Sequence, residues 1–271
     1  VTPDDRSATV PTDSRRPGFH DLHAGGRPLL LPNAWDVASA VAFVDAGFPA
    51  VGTTSFGVGA AAGRPDGGRA SRDATAALVR ALAPLDAHVS ADVEDGYSDD
   101  PDEVAAYVAG LGCAGVNVED GTDGRLVDPE VHAAKIAAIT GRCPGLFVNA
   151  RVDNYWLGAD ATVGAVLRRA EAYVAAGADG IFVPGATDPD ELRELAAAIP
   201  VPVNVLAVPG RMLDELGGLG IRRVSTGSLP YRAALDAAVG VATAIRGGGT
   251  PMSATPYRDA QQAIVRFARR T

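Results

Sequence analysis

The chain has 271 residues, of which 47% are hydrophobic, enough for one large core and as suited to a single α/β barrel as to two average domains. Its formal net charge of −9 argues against nucleic acid as the main partner, because neutralising phosphates needs clustered Lys and Arg. An anionic small molecule stays open, since one arginine and one metal ion can dominate a pocket.

Residues 1–17 are rich in Pro, Asp, Ser and Arg and read as a disordered tail. They contain no apolar signal core, and no run of about twenty apolar residues follows, so a cytoplasmic protein without a membrane partner is expected. Strand-like runs then come at Leu29–Leu31, Ala50–Thr53, His88–Asp92, Gly115–Val118, Leu146–Ala150, Gly180–Val183, Val203–Leu206 and Arg223–Ser225. Between them, helical periodicity covers Asp36–Ala46, Arg72–Ala83, Asp102–Leu111, Pro129–Thr140, Ala161–Ala176, Pro189–Ala198 and Met212–Leu219, and Tyr231–Ile245 follows the last strand. Glycine closes several helices, at Gly47, Gly112, Gly177 and Gly220. Eight such units predict a (β/α)8 barrel over residues 18–246. The glycine-rich stretch Gly57–Gly68 lacks the GxGxxG spacing of a dinucleotide fold. Residues 247–271 form a glycine-rich connector and a terminal helix, Tyr257–Arg270. Packing back on its own barrel and exchange onto a neighbouring subunit both fit that tether.

Lys135 is the chain's single lysine and falls in a helix, which argues against Schiff-base chemistry. Cys113 and Cys143 have no metal-site spacing and read as small buried or loop thiols. None of the four histidines sits at a predicted strand end, so a histidine base or zinc site is not expected.

Barrel chemistry sits at the C-terminal ends of the strands, and here the first five are crowded with polar groups. They are Asn33, Trp35 and Asp36; Thr53, Thr54, Ser55 and Phe56; Asp92, Glu94 and Asp95; Glu119 and Asp120; and Asn149, Arg151 and Asp153. Strands six to eight end plainly, in Pro184-Gly185, Ala207-Val208-Pro209 and Thr226-Gly227. Acidic residues at the ends of two successive strands can gather oxygens for a hard cation such as magnesium. Asp92 is the best candidate for a direct ligand, with Glu94 two residues on; Asp95 reads as a turn residue. Asp120 precedes glycine, where a turn role weighs as much as a catalytic one. Arg151 closes an apolar strand and is suited either to pairing with Glu119 or Asp120 or to gripping a substrate carboxylate. Backbone amides near Ser55 are suited to holding an oxyanion.

Taken in order and spacing, Leu31-Pro32-Asn33-Ala34-Trp35-Asp36, Ala46-Gly47-Phe48, Gly52-Thr53-Thr54-Ser55, Gly63-Arg64-Pro65-Asp66, Ala91-Asp92-Val93-Glu94-Asp95-Gly96-Tyr97, Gly115-Val116-Asn117-Val118-Glu119-Asp120 and Asn149-Ala150-Arg151-Val152-Asp153 resemble the isocitrate lyase and phosphoenolpyruvate mutase superfamily. The resemblance implies a magnesium enzyme, with manganese as a substitute, acting on small α-keto or α-hydroxy carboxylates. By it, Asp92 binds the metal directly, Glu94, Glu119 and Asp66 surround it, Arg151 takes the substrate carboxylate, and Thr54, Ser55 and Phe56 hold the carboxylate or enolate oxygen. Asn33 and Trp35 join the substrate-binding set. The resemblance also implies a homo-oligomer, a dimer or a tetramer with an exchanged C-terminal helix.

Two departures matter. The lyase branch carries its catalytic cysteine in a Lys-(Lys/Arg)-Cys-Gly-His loop after strand four, where this chain has the short Gly121–Asp128 with neither cysteine nor lysine. Strand six ends in Val183-Pro184-Gly185, where other members supply His or Glu. The expected function is therefore a magnesium-dependent carbon–carbon lyase working through a pyruvate-like enolate, with Glu119, Asp120 and Tyr97 as candidates for proton transfer. The alternatives are an oxaloacetate-type decarboxylase, a phosphonopyruvate-type P–C hydrolase or mutase, and a binding relative that no longer turns over.

Overall fold

The computed structural model describes residues 17–270; the predicted N-terminal tail falls almost entirely outside them. The strands are β1 (Leu29–Leu31), β2 (Asn33–Ala34), β3 (Ala50–Thr53), β4 (His88–Asp92), β5 (Gly115–Glu119), β6 (Gly121–Thr122), β7 (Arg125–Leu126), β8 (Phe147–Arg151), β9 (Gly180–Phe182), β10 (Val203–Leu206) and β11 (Arg223–Ser225). The helices are α1 (Val37–Asp45), α2 (Ser55–Ala61), α3 (Arg72–Ala81), α4 (Pro101–Ala109), α5 (Pro129–Arg142), α6 (Asn154–Leu157), α7 (Val163–Ala175), α8 (Pro189–Ala198), α9 (Leu213–Gly218), α10 (Leu229–Arg246) and α11 (Tyr257–Ala268).

All strands but β6 and β7 form one parallel sheet, and the predicted barrel is what closes it. β1 pairs with β11 on one side, β2 pairs with β3 on the other, and the two are one barrel strand divided at Pro32. Proline has no N–H to give, so the ladder breaks there while its carbonyl still accepts from Gly52 at 2.8 Å. Asn33 stitches the seam. Its Oδ1 accepts from the amides of Thr226 and Gly227, both at 2.9 Å, and its Nδ2 donates to the Thr53 carbonyl at 2.7 Å.

Strand alternation sorts the residues into two layers. Val116, Val118, Val148, Ala150, Ile181 and Val205 pack outward with helix residues such as Val104, Ile136 and Leu192 in the main core. Asn117, Asn149, Asn204, Ser90, Ser225 and Arg223 are buried on the other face. Asn149 Nδ2 and Arg223 Nη2 both donate to Asn117 Oδ1, at 2.8 and 3.1 Å. Arg223 is 1% exposed, leaves Nε and Nη1 without a hydrogen-bond partner among the described residues, and burial lowers its pKa to about 9.

Capping explains the helix starts. Asp36, Asp100, Asp128 and Asp188 each accept a first-turn amide, and proline follows the last three. Gly47, Gly112, Gly177 and Gly220 all take positive φ, as the helix stops require. Both cysteines are free. No helix among the described residues is long and apolar enough to cross a membrane.

The last two helices differ from the rest. α11 lies against α1 of its own chain, with Arg266 Nη2 at 2.7 Å from Asp45 Oδ2. α10 has one buried residue, Tyr231, and exposes Leu235, Val239 and Ile245 by 50%, 66% and 61%.

Candidate active site

Helix α2 begins one residue after β3 and is not among the helices expected from the periodicity. Thr54 is its N-cap and accepts from the Gly57 amide. Gly57 is required there: a Cβ would come within 2.8 Å of the Thr54 methyl group and 3.0 Å of Trp35. The Ser55 amide is thereby aimed across the barrel mouth and donates to Asp92 Oδ2 at 2.9 Å, while Thr53 Oγ1 accepts from the Asp92 amide at 2.8 Å. Asp92 thus closes β4 at a fixed point.

Around it opens a cavity of about 1050 Å³ at the C-terminal ends of the strands. Thr54, Ser55, Phe56, Asp66, Asp92, Glu94, Glu119 and Arg151 line it, bringing together most of the predicted site. Glu94 is buried with φ +49, so simple alternation from Asp92 does not continue. Its carboxylate accepts from Ser71 Oγ at 2.5 Å and from the Arg69 amide at 2.9 Å. Arg151 donates from Nε to Asp153 at 2.6 Å and lies 2.5 Å through Nη1 from Glu119, leaving Nη2 without a protein partner among the described residues. Its guanidinium lies 5.6 Å from the Trp156 ring centre and 5.9 Å from that of Phe182, both on the cavity wall. Removing one member of such a buried pair costs roughly 3–5 kcal/mol, because the other charge is stranded.

The crowding shows in the proton affinities. Burial raises Asp66, Glu94, Glu119 and Asp153, and the neighbouring Asp92 charge adds to the rise in each. Arg151 opposes it at Glu119 and at Asp153, which still reaches about 6. Asp95 behaves differently: burial would raise it, but hydrogen bonds from Arg69 and the charge of Lys135 hold it below the usual range.

The structure places five residues differently from their sequence readings. Tyr97 is buried outside the cavity lining, where its hydroxyl meets Ser71 Oγ at 2.9 Å; it acts on Glu94 through Ser71, and burial raises its pKa. Asp120 is fully buried and consumed by the Asp153 amide, Arg169 and Tyr173, at 2.8, 2.9 and 2.7 Å. Trp35 does not line the cavity and packs edge-on against Tyr231, which also packs against Phe56. Asn33 reaches the lining, but its amide is spent on the barrel seam. Asp95, read as a turn, is an anchored buried carboxylate gripped by Arg69 and Thr122.

The sequence reading missed the groups that hold the acids in place. Lys135 donates to the Asp95 carbonyl at 2.8 Å and lies 3.7 Å from its carboxylate. A signal existed: His132, Lys135, Ile136 and Ile139 share the buried face of α5 at helical spacing. Arg69, in the loop before α3, gave none, since its role depends on a positive φ of 62°. The loop after Glu119, predicted to be short, is the β6–β7 hairpin.

Among the described residues no three acidic, histidine or cysteine side chains form a ready-made metal cage. The donor chemistry still fits magnesium, an oxygen-seeking ion that keeps several waters and takes one or two carboxylates. Asp92 fits a direct contact; Glu94, Glu119 and Asp66 fit hydrogen bonds to the ion's water.

A parallel barrel with an acidic cavity at its strand ends defines the chain as an α/β barrel with its candidate site at the C-terminal face. The phosphoenolpyruvate phosphomutase family model matches residues 19–246, and the chain belongs to that family, within the isocitrate lyase/PEP mutase superfamily. It is 55% identical over 253 residues to an uncharacterized protein of Mycobacterium tuberculosis, covering 93% of this chain and 98% of that one. It is 29% identical over 236 residues to 2-methylisocitrate lyase of Bacillus subtilis, covering 81% of this chain and 77% of that one. A phosphonopyruvate hydrolase solved with oxalate and Mg++ superposes with a TM-score of 0.81 at 25% identity, over 93% of this chain and 95% of that one. The superfamily is one of lyases, mutases and hydrolases of small carboxylates.

Carboxyls whose folded pKa is raised favour the folded state at low pH, and that contribution is lost as pH rises through the folded values. For Asp153 the value is about 6. Asp95, held low, weakens the fold only further down, as it becomes protonated. The buried His23 and His132, lowered to about 4 and about 3, act in the opposite sense, so the site is read through the metal: magnesium should raise the melting temperature more at about pH 7, where the site carboxyls are ionised, than at about pH 5. Thermal unfolding with and without magnesium at the two pH values checks this; a magnesium effect equal at both contradicts it.

Proposed function

We propose that the protein is a magnesium-dependent carbon–carbon lyase of the cytoplasm, acting on a small α-keto or α-hydroxy carboxylate through a pyruvate-like enolate. The observation that carries this reading is the convergence of Asp92, Glu94, Glu119, Asp66 and Arg151 on one cavity at the strand ends. When bound, magnesium supplies positive charge to the oxygen on which negative charge develops. Arg151 receives the substrate carboxylate through Nη2, with its orientation fixed by Glu119 and Asp153. In the first turn of α2 the Ser55 and Gly57 amides are taken by Asp92 and Thr54, which leaves the Phe56 amide for the developing oxyanion. Trp156, Phe182 and Leu206 give that part of the cavity an apolar lining.

Decarboxylation of an oxaloacetate-like acid is the second reading, and a specific observation favours it. Of the three candidates for proton transfer, Glu119 alone lines the cavity, and it is paired with Arg151. Loss of CO2 from a β-keto acid requires no base, whereas aldol-type cleavage must remove a hydroxyl proton. A relative named oxaloacetate decarboxylase, from Bradyrhizobium, is 41% identical over 88 residues.

The test is turnover of a panel of keto and hydroxy diacids with and without magnesium, with CO2 and carbonyl products measured separately. Wild type should turn over at least one acid only with the metal, and Asp92→Ala should lose at least about a hundredfold in kcat/KM, close to 3 kcal/mol. Full activity in Asp92→Ala, or in chelator, would sink the metal reading.

The exposed apolar stripe of α10 supports a homo-oligomer, a dimer or tetramer, that covers Leu235 and Val239. Light scattering after gel filtration should give a multiple of 27.6 kDa, and paired Leu235→Asp and Val239→Asp changes should yield the monomer. A wild-type monomer would contradict it.

A further inference from the structure

Two large apolar side chains on the cavity wall are exposed, Trp156 by 56% and Leu229 by 51%. Tryptophan is highly buried on average, so an open indole at a cavity mouth calls for a cause. Apolar surface gathered at a concave site marks a place where a ligand is covered.

The turn that presents Trp156 is braced. In α6 the Leu157 amide donates to the Asp153 carbonyl at 2.9 Å, and the Ala159 amide to the Asn154 carbonyl at 3.0 Å. The buried Asn154 side chain donates from Nδ2 to the carbonyls of Ala159 and Asp160, at 2.9 and 3.1 Å, and Gly158 ends the turn at φ +63°. The indole is therefore held at the mouth by a fixed backbone. Its centre lies 5.6 Å from the Arg151 guanidinium, so apolar surface begins beside the group that takes the substrate carboxylate. From there the wall follows the strand order through Phe182 and Leu206 to Leu229 at the start of α10. The cavity, about 1050 Å³, lies at the upper end of the roughly 300–1,000 Å³ that suits a drug-sized ligand and far exceeds what oxalate fills.

We propose that the substrate carries an extended alkyl or aryl substituent beyond its carboxylate end, and that Trp156 is the specificity-determining residue that covers it. This rests on the carboxylate reading above and deepens it: the acid end lies at Asp92 and Arg151, and the carbon end lies on the wall from Trp156 to Leu229. Burying one methylene there is worth about fourfold in affinity.

The experiment is calorimetry in saturating magnesium with oxalate and with straight-chain 2-oxo monoacids from pyruvate to 2-oxooctanoate, phenylpyruvate being the aryl member. Oxalate has no carbon segment and reports on the acid end alone. In wild type, affinity should rise about two- to fourfold per methylene along the series. Trp156→Ala should flatten that rise, so that the ratio of 2-oxooctanoate to pyruvate affinity falls about tenfold, and Trp156→Phe should recover part of it. The ratio cancels any loss that both acids share through Arg151. Emission gives a second readout: Trp35 is the only other tryptophan, so the wild-type spectrum less that of Trp156→Phe isolates Trp156. That emission should be open to acrylamide without ligand and shielded by 2-oxooctanoate. The side chain is exposed, so both variants are expected to fold. A wild type that binds oxalate but shows no rise with chain length overturns the proposal. So does an unchanged ratio in Trp156→Ala, or an indole already shielded without ligand, which assigns it to a subunit contact. A wild type that binds no oxalate at all overturns the carboxylate reading itself, and this proposal with it.

Discussion

The structure is organised around one electrostatic constraint: several carboxylates must share the mouth of one barrel without neutralising themselves by taking up protons. Asp92 stands at the centre, and its charge raises the proton affinity of Asp66, Glu94, Glu119 and Asp153. Each acid is held by a side chain or a loop or helix-end amide, Asp66 by that of Gly67, and the holders come from different parts of the chain. The Ser55 amide takes Asp92, Ser71 and the Arg69 amide take Glu94, and Arg151 takes Glu119 and Asp153. Arg69 and Lys135 take Asp95. Like charges brought together this way are costly without a cation, and a divalent ion relieves that cost more effectively than further arginines.

Much of this was legible in the sequence, for identifiable reasons. Eight apolar runs, separated by helices of which several end at a glycine, carry enough periodicity to specify a barrel, and motifs at strand ends inherit their positions from it. Hence Asp92, Glu119 and Arg151 were readable as neighbours although they are far apart in the chain. What could not be read is whatever depends on exact backbone conformation or on long-range pairing. Asp120 and Glu119 are adjacent and both acidic, yet Asp120 is spent on Arg169 and Tyr173 of α7. Tyr97 follows the acidic run by two residues, but a positive φ of 63° accompanies its turn away from the cavity. Helix α2 was hidden because its glycines, needed for close packing on Trp35 and Thr54, look like a turn.

The cavity has two halves with different chemistry. Strands β3 to β8 supply the charged half, and β9 to β11 with α6 supply an apolar wall ending at Arg232. The plain strand ends at Pro184 and Ala207 are therefore informative: they provide the carbon-facing side of a carboxylate site. Gly185, at φ +89°, lies 3.1–3.2 Å from the Tyr155–Trp156 backbone through the position a Cβ would take, so that α6 can bring Trp156 to Arg151. The same division places α10 at two junctions, with its first turn on the cavity and its apolar stripe facing outward.

The central claim is that Asp92 is the anchor for a divalent cation on which the rest of the acidic cavity is arranged. A crystal structure of the protein with magnesium and oxalate tests it most directly. The account predicts one ion bonded to an Asp92 carboxylate oxygen and to oxalate, with Glu94 and Glu119 reaching it through water and Arg151 on the oxalate. An ion held elsewhere, or oxalate bound away from Asp92 with no ion beside it, would contradict it.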